Sequence, residues 1–218
     1  MNYRFILYVN NQKEGKLNMC MGLNKIKEKT AQEILNMTNQ TDAVPVNIEK
    51  IILTLGINLQ ETNFEDEYFN NILLQNEKYL NRGKILGAVF CDKDELNICY
   101  RKTDINSEVF FGNISDEDKT KKIEHRKRFT LAHELAHCCL HMSKTKSPYH
   151  LELRTDKYLD SEEEYLANKF AGELLIPEHS LRKIYEKLEF PSITFLADLF
   201  NVSRSVMMAR LDVLNLSY

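Results

Sequence analysis

The 218-residue chain lacks any apolar run near the ~20 residues that a membrane-spanning helix needs, so no membrane segment is expected. Its start, Met1-Asn-Tyr-Arg-Phe-Ile-Leu-Tyr-Val9, has a short apolar stretch but neither a long apolar region nor a small-residue cleavage site, which argues against a signal peptide. A surplus of positive charge is also missing. Lys and Arg number 29 against 32 Asp and Glu, leaving a net charge of -3 and no global basic field to draw nucleic acid. There is no CxxC pair, and the five cysteines (Cys20, Cys91, Cys99, Cys138, Cys139) are odd in number, which suits a reducing cytosol better than a disulfide framework. The expectation is a cytoplasmic protein. With 43% hydrophobic residues the chain can bury one substantial core, or one core and a small helical appendage.

What is present centres on His133-Glu-Leu-Ala-His137. In a helix the two histidines lie four residues apart, about 40° offset on one face, so both imidazoles can reach one ion. Glu134 can then sit beside a water at that ion and act as general base. Phe129, Leu131, Ala132, Leu135 and Ala136 supply an apolar background that would bury the helix and dry the site. The bland alternative is a surface helix with polar pairs. Cys138 and Cys139 point about 100° and 200° around the helix from His137, so buried thiols are expected rather than ligands. His141, one turn beyond His137, reads as a group behind a ligand or as a satisfied histidine near the helix end.

A peptidase zinc needs a third protein ligand and an open position. The extension HExxHxxGxxH is closed here, because Leu140 and Ser143 occupy its Gly and third His positions. A glutamate from a second helix is the other route. In residues 161–177, Ala167, Phe170, Ala171, Leu174 and Leu175 form an apolar stripe that Pro177 ends. Glu164 lies on that stripe, and a carboxylate on a buried face needs a partner such as a metal. Asn168, one turn later, is placed to hydrogen-bond a ligand histidine. Ser161-x-x-Glu164 also reads as a capping box, although Asp160-x-x-Glu163 can serve that purpose one residue earlier. Glu164 is the expected ligand and Glu163 the alternative.

Taken together, Arg128-Phe-Thr-Leu-Ala-His-Glu-Leu-Ala-His137 and Glu164-x-x-Ala-Asn-x-Phe-Ala-x-Glu-Leu-Leu-Ile-Pro177 resemble the ImmA/IrrE family of zinc metallopeptidases, with 26 residues between His137 and Glu164. Val44–Ile57 is similar to the family's first helix and Asn97–Asn106 to the strand before its active-site helix, so the resemblance covers roughly 40–215. Ala136 stands where Gly is frequent, Ile176 where Met is frequent, and the first forty residues have no counterpart. The resemblance implies a cytoplasmic endopeptidase with one zinc per chain, whose substrate is a helix-turn-helix repressor of a prophage, mobile element or stress response. It implies an α+β fold: a zincin-like core with a small, mainly antiparallel sheet packed on the HExxH helix and the Glu-bearing helix, then a C-terminal helical, helix-turn-helix-like segment.

The expected organisation is an N-terminal extension over 1–40, a metallopeptidase core over 41–180 and a helical segment over 181–218. Within these lie a short strand at Tyr3–Val9, a helix around Leu23–Met37, and a helix over 45–60 that breaks at Gly56. A hairpin is expected from Lys84–Cys91 and Leu96–Arg101 around Asp92-Lys-Asp-Glu95. The acidic-then-basic stretch Ser107–Glu124 reads as a loop or lid. Met19 and Met21 are alternative starts. Tyr149, His150 and Tyr158 are candidate donors to the developing oxyanion, and the substrate is expected to extend along an edge strand at Leu96–Arg101. Near the C-terminus, Ala197, Asn201 and Ser203 fit a helix, a left-handed turn and the cap of a second helix. That favours a competing reading, a DNA-binding or partner-binding regulatory module with a structural or vestigial metal site. Only Arg204 and Arg210 would serve as its phosphate contacts, which argues against DNA binding.

Overall fold

The computed structural model describes residues 21–64, 85–92, 95–103, 114–142, 152–155, 162–188 and 191–216. The expected strand at Tyr3–Val9, the hairpin turn at 93–94, and Tyr149, His150 and Tyr158 lie outside them. The architecture is mixed α+β. A four-stranded sheet, ordered β1-β3-β2-β4, is built from β1 (Asn58–Thr62), β2 (Ile85–Asp92), β3 (Glu95–Arg101) and β4 (Glu152–Thr155). β2 pairs antiparallel with β3 and β4, whereas β1 runs parallel to β3.

Helices α1 (Met21–Ile26), α2 (Ala31–Met37) and α3 (Ile48–Thr54) precede the sheet. The single helix expected over Leu23–Met37 is two, because the chain turns at Glu28 with φ 60° and Thr30 then opens α2 with a capping box to Glu33. The helix expected over 45–60 is shorter. Asn47 caps it, Ile48, Ile51, Ile52 and Leu55 face inward, and Gly56 turns the chain at φ 76° into β1.

The long helix α4 (Asp116–Leu140) crosses the sheet and packs on β2, β3 and β4. Its first turns overturn the loop expected at 107–124: Asp116–Glu124 is helical. Ser115 accepts from the Asp118 amide, and Asp116, Glu117 and Asp118 complement the positive end of the helix dipole. From Arg128 onward α4 is mostly buried, with Leu131, Ala132, Leu135 and Ala136 at the centre of the core. On its other side lies α5 (Glu162–Leu175), whose Ala167, Phe170, Ala171, Leu174 and Leu175 are all buried as the stripe predicts.

The chain then forms α6 (Glu178–Lys187), α7 (Ile193–Phe200) and α8 (Arg204–Val213). Ser192 caps α7, Asn201 ends it in the left-handed conformation (φ 52°, ψ 54°), and Ser203 caps α8. α8 packs on α5 and α7. Leu23, Ile26, Ile34 and Leu35 from α1 and α2 share one hydrophobic cluster with Leu196, Phe200, Met207 and Leu211 from α7 and α8.

Candidate metal centre

The buried half of α4 meets α5 at a polar cluster inside an otherwise apolar core. His133 and His137, one turn apart, turn their Nε2 atoms toward each other at 2.9 Å. Glu164, on the first turn of α5, brings its carboxylate to the same point, with Oε2 at 3.2 Å from His133 Nε2 and Oε1 at 3.5 Å from His137 Nε2. Both histidines are buried and Glu164 is mostly so. Glu162 and Glu163, its neighbours on α5, are exposed. These three side chains are the one cluster among the described residues whose ligand atoms converge as a metal site would require.

The opposite nitrogens of the two rings are engaged as well. His133 Nδ1 lies 3.0 Å from Asn168 Oδ1, and His137 Nδ1 lies 3.0 Å from His141 Nδ1. An amide oxygen only accepts, so the neutral form of His133 carries its proton on Nδ1 and presents a bare lone pair at Nε2. With His137 in the same tautomer, donating to His141, two lone pairs and a carboxylate face one another. Three electron donors in a dry pocket repel unless a cation sits among them. The donor set therefore fits a metal, and two nitrogens with one oxygen is a set that zinc accepts. Burial would raise the Glu164 carboxyl; when no ion is bound, protonated His133 and His137 imidazoles donate to it, outweigh that cost and hold it well below the usual carboxylate range. Glu164 is thus ionised, as a ligand must be.

Glu134 is fully buried, and its carboxylate lies against the sheet. Its carboxylate rests against Gly87 of β2, a residue the sequence reading does not single out. An isolated glycine inside a strand pattern is the signal that could have marked it. His141 caps the end of α4 and is buried. Cys138 and Cys139 are buried free thiols, as expected, and burial holds both well above their ordinary values. Cys99 on β3 is pushed up to about 12 by the same cause.

One expectation about the substrate path is overturned. β3 does not offer an edge at Leu96–Arg101, since it pairs with β1 on one side and β2 on the other. Among the described residues the sheet ends at β1 and β4, and β4 packs on α4.

Residues 119–212 match the family model Peptidase_M78, described as the IrrE N-terminal-like domain, and over that stretch the resemblance to the ImmA/IrrE family holds. Among curated proteins, none matches this chain. The matched stretch runs from the first turns of α4 through α8 and contains His133, Glu134, His137 and Glu164. This part of the chain is similar to a peptidase family, and it brings His133, His137 and Glu164 together as a metal site would require, with the buried Glu134 next to His133 in sequence. No described helix is long and apolar enough to cross a membrane.

Proposed function

We propose that the chain is a zinc-dependent endopeptidase acting in the cytoplasm on a helix-turn-helix repressor, with a zincin-like core over 41–180. The observation that carries the reading is the convergence of His133 Nε2, His137 Nε2 and the Glu164 carboxylate within a peptidase-family match. In this reading those three residues hold one zinc per chain. The metal would supply Lewis acidity, acidifying a water and polarising the scissile carbonyl.

The protein's own groups do the rest. Asn168 and His141 fix the two imidazoles through Nδ1, so the ligand nitrogens need not reorient when the ion binds. Glu134, on the same turn as His133, accepts the proton of the attacking water and passes it to the leaving amine. Its burial excludes bulk water and strengthens each charge interaction in the site. The substrate strand adds beside β4, an end strand among the described residues, where backbone pairing holds it extended over α4. Tyr149 and His150 are the proposed donors to the developing oxyanion.

The α7–α8 pair supports a helix-turn-helix-like segment over 181–218 that docks a partner of its own kind. The DNA-binding alternative loses one of its two cations. Arg210 is buried, donates to the Ile176 carbonyl and lies 3.7 Å from Glu173. The direct test is to incubate zinc-loaded protein with helix-turn-helix repressors encoded beside it. Two discrete fragments, absent with Glu134→Gln, support the reading; an intact repressor panel with a fully zinc-loaded enzyme contradicts it.

A further inference from the structure

Gly87 occupies an unusual place on β2. The strand's pairing with β4 slips between Ile85 and Gly87: Ile85 faces Thr155 while Gly87 faces Arg154, so one extra residue bulges the β2 backbone. Bulges kink a strand and re-aim what it presents, and they recur beside active sites. A β carbon built on Gly87 would lie 2.5 Å from Glu134 Oε1, 2.6 Å from Thr130 Cγ2 and 3.0 Å from Glu134 Cδ. A side-chain carbon does not approach other heavy atoms so closely, so the Glu134 carboxylate and the Thr130 methyl fill the space that any other residue's side chain would claim.

The reason for glycine here is space and not backbone freedom. Gly56 is the described glycine with a left-handed φ; Gly87 is not, so alanine could adopt its conformation. Thr130, one turn before Glu134, brings its Cγ2 methyl into the same space, and Thr130→Ser removes that methyl, which leaves the Glu134 carboxylate as the remaining neighbour.

We propose that Gly87 is a positioning residue for the general base. The bulge presents a strand backbone without a side chain, and that surface sets where the Glu134 carboxylate rests relative to His133, His137 and Glu164. The inference rests on the reading of Glu134 as the base.

Its test is a crystal structure of zinc-loaded Gly87→Ala in a Thr130→Ser background, beside Thr130→Ser alone. The carboxylate of Glu134 should move by about 1 Å or more, enough to cost catalysis steeply, while His133, His137 and Glu164 stay in place. A Glu134 that keeps its position while β2 gives way would overturn the proposal. If that variant fails to fold, adding Glu134→Ala to it decides. A purely structural glycine would leave the triple variant unfolded, which overturns the proposal, whereas recovery of a folded protein locates the conflict at Glu134 and supports it. Coordinates and folding are read without any substrate. A chain that proved unable to cleave would sink the peptidase reading and still leave the Gly87–Glu134 contact measured.

Discussion

At the scale of single residues, the roles assigned to two neighbouring glutamates can be separated by experiment. Glu134→Gln keeps the shape of the side chain and removes its basicity, so zinc content should stay at that of the wild type while cleavage falls by about 10²-fold or more. An unchanged rate would remove Glu134 from the mechanism. Glu164→Ala should lose zinc under dialysis that leaves Glu163→Ala loaded, because Glu164 faces the histidines and Glu163 is exposed. Asn168→Ala should weaken zinc affinity by about 10- to 100-fold, since it frees the His133 ring to rotate; a competition titration with a chelator measures this. Much of this cluster was legible in the sequence because a helix fixes the i,i+4 relation of His133 and His137, and the apolar stripe of α5 sets the face on which Glu164 and Asn168 must lie. Gly87 was not, since its meaning depends on the approach of α4 to a strand over forty residues earlier.

At the scale of elements, one arginine ties three segments together. Arg128 is buried and donates from Nε to the Asn201 carbonyl and from Nη2 to those of Val46 and Phe200. It joins α4 to the residues before α3 and to the turn between α7 and α8. Arg128→Met keeps bulk but strands those acceptors, at about 1–3 kcal/mol for a buried unsatisfied group. In a chain of this size that should lower Tm by about 2–12 °C, measurable by calorimetry. A variant as stable as the wild type would dismiss the clamp. Helix α2 carries a pH signature. Lys29, and then the Thr30 backbone amide and hydroxyl, hold the Glu33 carboxyl down to about 2 from 4.5. Its folded value is the lower one, so its contribution is present above about 4.5 and is lost as pH falls toward 2. Glu33→Gln should flatten the acid limb of the stability profile in that window. The elements that escaped sequence reading did so for physical reasons. β1 is an end strand among the described residues and is largely exposed, so it shows no apolar alternation. Asp116–Glu124 is charged nearly all round, and only its cap and its acidic first turn announce a helix.

At the scale of the whole molecule, the account needs the sheet, α4 and α5 to hold a pre-formed site that a metal completes. Loaded zinc binds only the folded state, so stripping it should lower Tm by several degrees, about 5–15 °C if the free metal stands at 100 to 1,000 times Kd. The net charge of -3 and the buried Arg210 predict no retardation of duplex DNA at physiological salt. The most direct test of the central claim is the zinc content of purified protein beside His137→Ala, measured by elemental analysis after exposure to zinc and exhaustive dialysis. The account predicts about one zinc per chain in the wild type and loss of that zinc in a variant that remains folded. A folded wild type that retains no zinc would contradict it.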